Sequence, residues 1–466
     1  MTARSALQRT VEAPGRKEKV RELRRLINKE GVEYVYYCHV SVTGRVVGKG
    51  VPSAHFESMC EDGYQLVYGS VADLFMDRYG HYIGFGAEES ELKGIPDLDT
   101  FRVLPWDRRV ARVYCDCFDA ETSDVFDADC RGNLKRLMAK LEAEVGGHLM
   151  AGIEPEMMWL REDANGKLQG ATKPWCYHIA QFEQLRPVFL DVIAYAQGMG
   201  LDMIQGDHED APGQLELNFQ YDRAVQTADN LSTYRMVCGE VGRKHGLLPC
   251  FMPKPFIGVS ANGHHHHLSL VDKKGKNLFL DPAGPATMSD LGRHFIGGIL
   301  EHADALCAVT VSTVNSYKRF WDTGFWAPMY KDYGWQNRTS LVRVAAPGRF
   351  EYRAVDAAVN PYLSLAAIMA AGMDGIRRKL DPGKPQQENV YDVLGREKHL
   401  GEKAKMHRIP LSLGEALEAL HKDKVIQSAL PGRMYSVYNH YKTDEWERYL
   451  AHVSDWEVER YLHHLP

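Results

Sequence analysis

Four short segments set polar or ionisable side chains two residues apart, the spacing at which a strand turns alternate residues to one face. Across Leu149 to Leu160 that alternation puts Glu154 and Glu156 side by side, where two carboxylates repel. In Gln214 to Phe219 the apolar Leu215, Leu217 and Phe219 oppose Gln214, Glu216 and Asn218. In His264 to Val271 one face carries His265, His267 and Ser269, and the other His264, His266, Leu268 and Leu270. In Arg349 to Ala354 the charged Arg349, Glu351 and Arg353 oppose Phe350 and Tyr352. Any one such face is compatible with plain solvation. Taken together, Glu154, Glu156, Glu209, Glu216 and Glu351 with one histidine offer mostly hard oxygen donors, enough for two divalent ions. No cysteine joins them, which disfavours structural zinc and leaves magnesium or manganese as the expectation. Arg319, Arg338, Arg343, Arg349 and Arg353 are open to two readings: surface ion pairing, or planar bidentate forks for phosphate and carboxylate. Metals beside arginines point to phosphoryl transfer.

The chain that must position these groups has 466 residues, which allows two to four domains at roughly 100 to 200 residues each. Its formal charge of −6 leaves no basic surface for a nucleic acid beyond the mixed stretch Arg16 to Lys29. The apolar run Leu363 to Ala371 is far short of the ~20 residues of a membrane helix. Nine cysteines, an odd number without a C-x-x-C pair, fit a reducing cytoplasm, and Cys115 and Cys117 read as buried thiols on one strand face. A P-loop, a dinucleotide fingerprint and a G-x-S-x-G elbow are absent. Ser90-Glu-Leu-Lys93 lacks the partner motifs of a serine-acylation site.

Helical periodicity predicts helices over residues 17 to 30, 133 to 145, 184 to 198, 224 to 246 and 290 to 308. Strands are expected over 32 to 40 and 110 to 118, with a domain boundary near residue 120. The division is therefore 1–120 and 121–466.

The chain resembles the glutamine synthetase superfamily. The resemblance is carried by Gly152-Ile-Glu-Pro-Glu156, His208-Glu-Asp-Ala-Pro-Gly-Gln-Leu-Glu216, Lys254-Pro255, Asn262-Gly263, His265-His-His267, Asn315-Ser-Tyr-Lys-Arg319, Asn337-Arg338, Arg343, Arg349-Phe-Glu-Tyr-Arg353 and Asn360-Pro-Tyr362. It implies an α+β fold: a small β-grasp-like N-terminal domain and a large catalytic domain with a curved antiparallel sheet flanked by helices. It further implies active sites between subunits of a ring, usually a double hexamer of twelve chains. Glu156, Glu209 and Glu216 would hold one metal, and Glu154, His265 and Glu351 another, giving two or more Mg2+ or Mn2+ ions per site. Asn262, Gly263, Arg319 and Arg353 would bind glutamate. His267, Ser269, Arg338, Arg343 and Arg349 would serve ATP and the transferred phosphoryl group. Phosphorylating the glutamate γ-carboxylate replaces an oxide leaving group by phosphate, so that an amine can displace it.

Two departures bear on the amine. Ammonia-using relatives have a flap glutamate immediately before Ala-Pro, whereas Phe320-Trp-Asp-Thr-Gly-Phe-Trp-Ala-Pro328 places Trp326 there. Their Asp-Gly-Ser sequence, usually supplied by a neighbouring subunit, aligns with Tyr68-Gly69-Ser70. Both acids that hold ammonium are missing, and Trp321, Phe325, Trp326 and Tyr68 are expected to enclose an apolar substituent. Trp326-Ala-Pro together with His208-Glu-Asp, Phe251-Met-Pro-Lys-Pro-Phe256 and Val453-Ser-Asp-Trp-Glu457 resembles the γ-glutamylamide synthetases, which join glutamate to methylamine, isopropylamine or aniline. Asp322 and Glu209 are the candidate bases for the amine. Rivals are an ammonia-using glutamine synthetase and a member that has lost catalysis, which would be expected to erode the six ligand candidates present here. Alternation selects His265 over His264 as the ligand.

Overall fold

The structure is a computed structural model that describes residues 4–322, 325–394 and 407–463. A helix over Arg16–Glu30 buries Leu23 and Ile27 and stops at Gly31, whose φ of 71° only glycine adopts freely. It leads into β1 (Tyr34–Val40), followed by β2 (Val46–Pro52), β3 (Tyr64–Val67), β4 (Glu91–Pro96), β5 (Arg102–Val103) and β6 (Val110–Asp119). These form one sheet in the order β2-β1-β6-β4-β3, with β5 also on β6. The β1/β6 pair is parallel and the remaining pairs antiparallel. Cys115 and Cys117 are both buried beneath it, as strand alternation predicts.

The following strands are β7 (Gly147–Ile153), β8 (Glu156–Glu162), β9 (Leu168–Gly170), β10 (Met203–His208), β11 (Gln214–Phe219) and β12 (Asp222–Arg223). The last are β13 (Leu248–Cys250), β14 (His266–Asp272), β15 (Tyr333–Trp335), β16 (Val342–Ala346) and β17 (Arg349–Tyr352). They fall into two sheets, β10-β11-β8-β13 with β9 on β8, and β12-β7-β14-β17-β16-β15. Only the β15/β16 pair is parallel. With the helices that flank them, they make the α+β fold with curved sheets that the sequence leads one to expect.

The continuous strand expected over Leu149 to Leu160 is two strands that belong to different sheets. Pro155 lacks the N–H that a ladder needs. At the break the Glu154 N–H turns to the His265 carbonyl, and the Glu156 N–H to that of Glu154. Both glutamates therefore sit at the seam between the sheets.

Behind the sheets, helix Pro361–Arg378 is buried almost throughout and packs against helices Asp290–Glu301 and Cys130–Val145. A Cβ at Gly298 would strike the Ala371 carbonyl, and one at Gly375 the His294 carbonyl, so these glycines let two backbones meet. The helix expected over 290 to 308 is broken at His302. Among the described residues no helix is long and apolar enough to cross a membrane.

Candidate active site

Two compact groups of ligand atoms meet at the seam: Glu154, Glu156 and His265, and Glu154, His267 and Glu351. The His265 Nδ1 lies 2.9 Å from Glu154 Oε2 and 3.3 Å from Glu351 Oε1. The His267 Nε2 lies 2.8 Å from Glu154 Oε1, so this histidine, read from sequence as an ATP contact, sits on the acid cluster as well. Glu156 accepts from the Gly263 N–H at 2.7 Å. Asp207 stands beside Glu216 across the β10/β11 pair. Among the described residues, Glu209 and Glu216 do not share a compact group with Glu156, but Glu209 adjoins it closely enough to raise its charge cost, and Glu156 raises that of Glu216.

The electrostatics show that cost. Burial, then repulsion from Glu209, pushes the Glu156 carboxyl up to about 8. Burial, then Asp207, pushes Glu209 up to about 7. Burial, then Glu154 and Glu156, raises Glu216 well above the usual carboxylate range. Burial also opposes the charge on Glu154, but its hydrogen bonds with His265 and His267 outweigh it and hold Glu154 low. A seam so crowded with buried carboxylates suits divalent cations, which would take the place of protons. The donors, hard oxygens with imidazole, fit magnesium or manganese.

His264 and His266 take no part in this set. The His264 Nε2 lies 3.2 Å from the Glu156 carbonyl, and His266 is held between the His264 carbonyl and Ser364 Oγ. Burial lowers the pKa of both.

The arginines surround the acids. Arg353 pairs with the fully buried Glu351, and the Arg343 Nη1 donates to Glu351 Oε2 at 2.8 Å. The Arg319 Nη1 donates to the Val355 carbonyl at 2.9 Å and lies 3.8 Å from Asp356. Nε of Arg319, Arg343 and Arg353 is buried without a hydrogen-bond partner among the described residues, an arrangement ready for an anion. Glu154, His267, Ser269, Asn218, Arg343 and Arg349 line a cavity of about 600 Å³ beside the acids, large enough for a nucleotide. Arg338 is exposed and stands near Tyr177, whose hydroxyl pKa is raised by Glu209 and by burial, with the Arg338 charge opposing.

Several side chains lie elsewhere than the sequence leads one to expect. The Asn262 side chain is fully buried: its amide donates to the Met252 and Cys250 carbonyls and accepts from Gln214. Its main-chain N–H and carbonyl are likewise engaged, by the Pro253 carbonyl and the Ala357 N–H. Tyr68 is 3% exposed, its hydroxyl donates to Asp119, and its ring lies between Phe85, Phe126 and the Arg433 guanidinium. A ring packed in this way does not wall an amine pocket. Asp322 is paired with Lys254 at 2.7 Å, and the Lys254 bond holds its carboxyl below the usual range, so it is a poor base. Trp321 and Trp326 are exposed, with the Trp321 Nε1–H donating to the Leu411 carbonyl at 3.0 Å. Trp326 has a φ of 59°, and its carbonyl accepts from Arg353 at 3.4 Å, which ties the flap to the arginine that holds Glu351. Residues 323 and 324 of the flap lie outside the described residues.

Sequence reading missed Asp207, Tyr177 and Asp356. Asp207 had a signal, since it stands two residues before Glu209. Burial, then Glu154, raises its pKa.

Residues 127–461 match the family model described as glutamine synthetase, catalytic domain. The glutamine synthetase of Pyrococcus woesei is 38% identical over 449 residues, covering 92% of this chain and 97% of its own. That of Staphylococcus epidermidis is 34% identical over 451 residues, covering 95% of this chain and 97% of its own. A solved structure titled as a GmaS/ADP complex superposes with a TM-score of 0.84 at 31% identity, over 94% of this chain and 99% of that one. The apo form of GmaS gives the same TM-score and identity. With its acids, histidines and arginines gathered on this fold, the chain belongs to the glutamine synthetase family and is an ATP-dependent carbon–nitrogen ligase.

Proposed function

We propose that the enzyme joins the γ-carboxylate of glutamate to a small organic primary amine, giving a γ-glutamylamide, ADP and phosphate. The observation that carries this reading is the flap: Trp326 stands where ammonia-using relatives place an acid, its ring is exposed, and its carbonyl accepts from Arg353, which pairs with Glu351 of the acid cluster. Tyr68-Gly69-Ser70, at the place of the second ammonium-binding acid, agrees with this reading. The likeness to GmaS, whose name stands for γ-glutamylmethylamide synthetase, supports the same reading.

In this reading Arg319 and Arg353 hold the glutamate carboxylates. The cavity beside Ser269, Arg343 and Arg349 takes ATP, and Arg338 joins them at the transferred phosphoryl group. Glu154, Glu156, Glu209, Glu216, His265 and Glu351 hold Mg2+ or Mn2+, with His267 against Glu154. The ions would neutralise phosphate oxygens and polarise the transferred group. The γ-phosphoryl passes from ATP to the glutamate γ-carboxylate; the amine nitrogen then attacks that carbonyl, phosphate leaves and one amine proton is lost. Asp322, bonded to Lys254 and held below the usual carboxylate range, is poorly matched to accept that proton, which leaves Glu209 as the candidate base.

A division near residue 120 is supported by a first sheet that ends at Asp119 and a family match that begins at 127. Nine free thiols support a reducing, cytoplasmic setting. A homo-oligomer, a dodecamer of two hexameric rings, is proposed from the family resemblance.

The test is ADP release with glutamate and magnesium across ammonia, methylamine, ethylamine, isopropylamine, ethanolamine, putrescine and aniline. An organic amine is expected to give the highest kcat/KM. The curated relatives are named glutamine synthetase, and highest turnover with ammonia would make this chain one of them instead.

A further inference from the structure

One short segment, residues 386–391, is fastened to the phosphoryl end of the site and to the amine end. At the first it is bound to the turn that carries Arg338. The Asn337 amide donates to the Gln386 carbonyl at 3.3 Å and to that of Glu388 at 3.0 Å. The Asn337 Oδ1 accepts from the Thr339 N–H and hydroxyl, and the Thr339 Oγ1 accepts from the Val390 N–H at 3.1 Å. Both neighbours of Arg338 therefore grip the segment, and the Gln386 N–H adds a bond to the Tyr333 carbonyl at 2.7 Å. The Val390 side chain is fully buried and anchors the segment in the core.

At the amine end, the Tyr391 hydroxyl donates to the Ala327 carbonyl at 2.8 Å. The Trp326 carbonyl beside it accepts from Arg353 at 3.4 Å. Burial raises the pKa of the Tyr391 phenol, and the charges of Arg353 and Arg319 oppose that rise. The phenol therefore adjoins the two arginines proposed to hold glutamate as well as the flap.

A γ-glutamyl phosphate can lose its phosphate to water as well as to an amine. Water attack on the γ-carbonyl regenerates glutamate and releases phosphate and a proton, so ATP is hydrolysed and no amide forms. Which nucleophile wins depends on how the amine end is held against the acyl phosphate, because a displacement of about 1 Å is enough to lose a productive geometry. Fixing Arg338 and Ala327 on one segment gives the two ends a common reference.

We propose that Tyr391 is a positioning residue that couples the two ends: through segment 386–391 it sets Trp326 and Ala327 relative to Arg338, and so reserves the acyl phosphate for the amine. The proposal rests on the acyl-phosphate step of the amide-ligase reading and holds whichever amine is preferred.

The test measures ADP released against amide formed, with the full-length enzyme, glutamate, ATP, magnesium and the amine that the parent prefers. The parent is expected to release ADP and amide in equal amounts. Tyr391→Phe, which removes only the hydroxyl, is expected to release ADP in excess of amide and to raise the KM for the amine about fivefold, as the loss of one ordinary hydrogen bond allows. Its KM for ATP stays at the parent value. Asn337→Ala cuts the segment from the Arg338 turn and is expected to give a similar excess of ADP. Because both substitutions act through one segment, the double variant Tyr391→Phe/Asn337→Ala should show no greater excess than the larger of the single variants. Equal amounts of ADP and amide in Tyr391→Phe, a parallel rise in its KM for ATP, or excesses that multiply in the double variant overturn the proposal. Should Asn337→Ala not fold, Thr339→Val takes its place, since it removes the bond to Val390. A parent that prefers ammonia sinks the proposed amine, whereas the coupling is still judged on ADP and amide in the variants, read with ammonia.

Discussion

Gly263 shows how little freedom the seam leaves at the residue scale. A Cβ there would lie 2.7 Å from His265 Nε2 and 3.2 Å from Glu156 Oε1, so the main chain can pass between two proposed ligands only without a side chain. Its N–H is also a hydrogen-bond donor to Glu156. Gly263→Ala is expected to turn the His265 ring and weaken Mn2+ binding by about tenfold to a hundredfold, the usual effect of disturbing a ligand's support. Isothermal titration with Mn2+ reads this directly, and an unchanged Kd would remove His265 from the ligand set. Much of the seam was legible residue by residue, because a period of two tells which of His264 to His267 face together. Pairings between distant segments were not legible. Alternation along one strand does not reveal that Lys254 reaches Asp322, that Asn262 is enclosed, or that Tyr68 packs under Arg433.

Elements add breaks that periodicity does not register. The apolar pattern runs through residue 302, yet the helix turns there because the His302 imidazole is drawn out to two carboxylates, Asp423 at 2.6 Å and Asp374 at 3.0 Å. Burial opposes a charge on His302, but the Asp423 and Asp374 bonds outweigh it and raise its pKa. The same pairing, against the opposing effect of burial, lowers both aspartates. The histidine's contribution to stability is therefore fully present below its unfolded value, about 6.5, and is lost as pH rises through the higher folded value. That of the aspartates is present above their unfolded value and is lost as pH falls through the lower folded ones. His302→Gln is expected to lower stability by about 1–2 kcal/mol near pH 6, after allowance for the partial solvation of both aspartates. The difference from the parent should be smaller at pH ~9 than at pH ~6, because the charged form is lost as pH rises from the unfolded value through the higher folded one. Urea denaturation of parent and variant at the two pH values measures it, and a difference that does not change with pH would count against a charged His302. The Pro155 break belongs to the same lesson: the residue was visible, but that the chain changes sheets there depends on which strands receive it.

For the whole molecule, the formal charge of −6 conceals a strong segregation, with carboxylates and arginines gathered on one seam and apolar helices behind it. Spaced motifs made the family legible, and with it the fold. The proposed assembly would have to be read from the surface instead. Helix Asp455–Tyr461 has a complete capping box between Ser454 and Glu457, yet it buries none of its residues against its own chain. Val453 and Trp456 are 67% and 63% exposed, and Leu450, Tyr461 and Leu462 are exposed beside them. Seven residues are too few for a helix to be stable alone in water. Grouped apolar side chains at the surface are one of the features of an interaction surface. If that chain is a second copy, replacing Trp456 and Leu462 together by Glu should lower the particle mass seen by sedimentation velocity at micromolar concentration, because each buried interface would have to take in two carboxylates. The circular dichroism of the subunit should change little, since neither side chain is part of its core. Activity is expected to fall with the mass if the site is completed by a neighbour. A parent enzyme that sediments as a fully active monomer would show that the exposed helix serves some other contact.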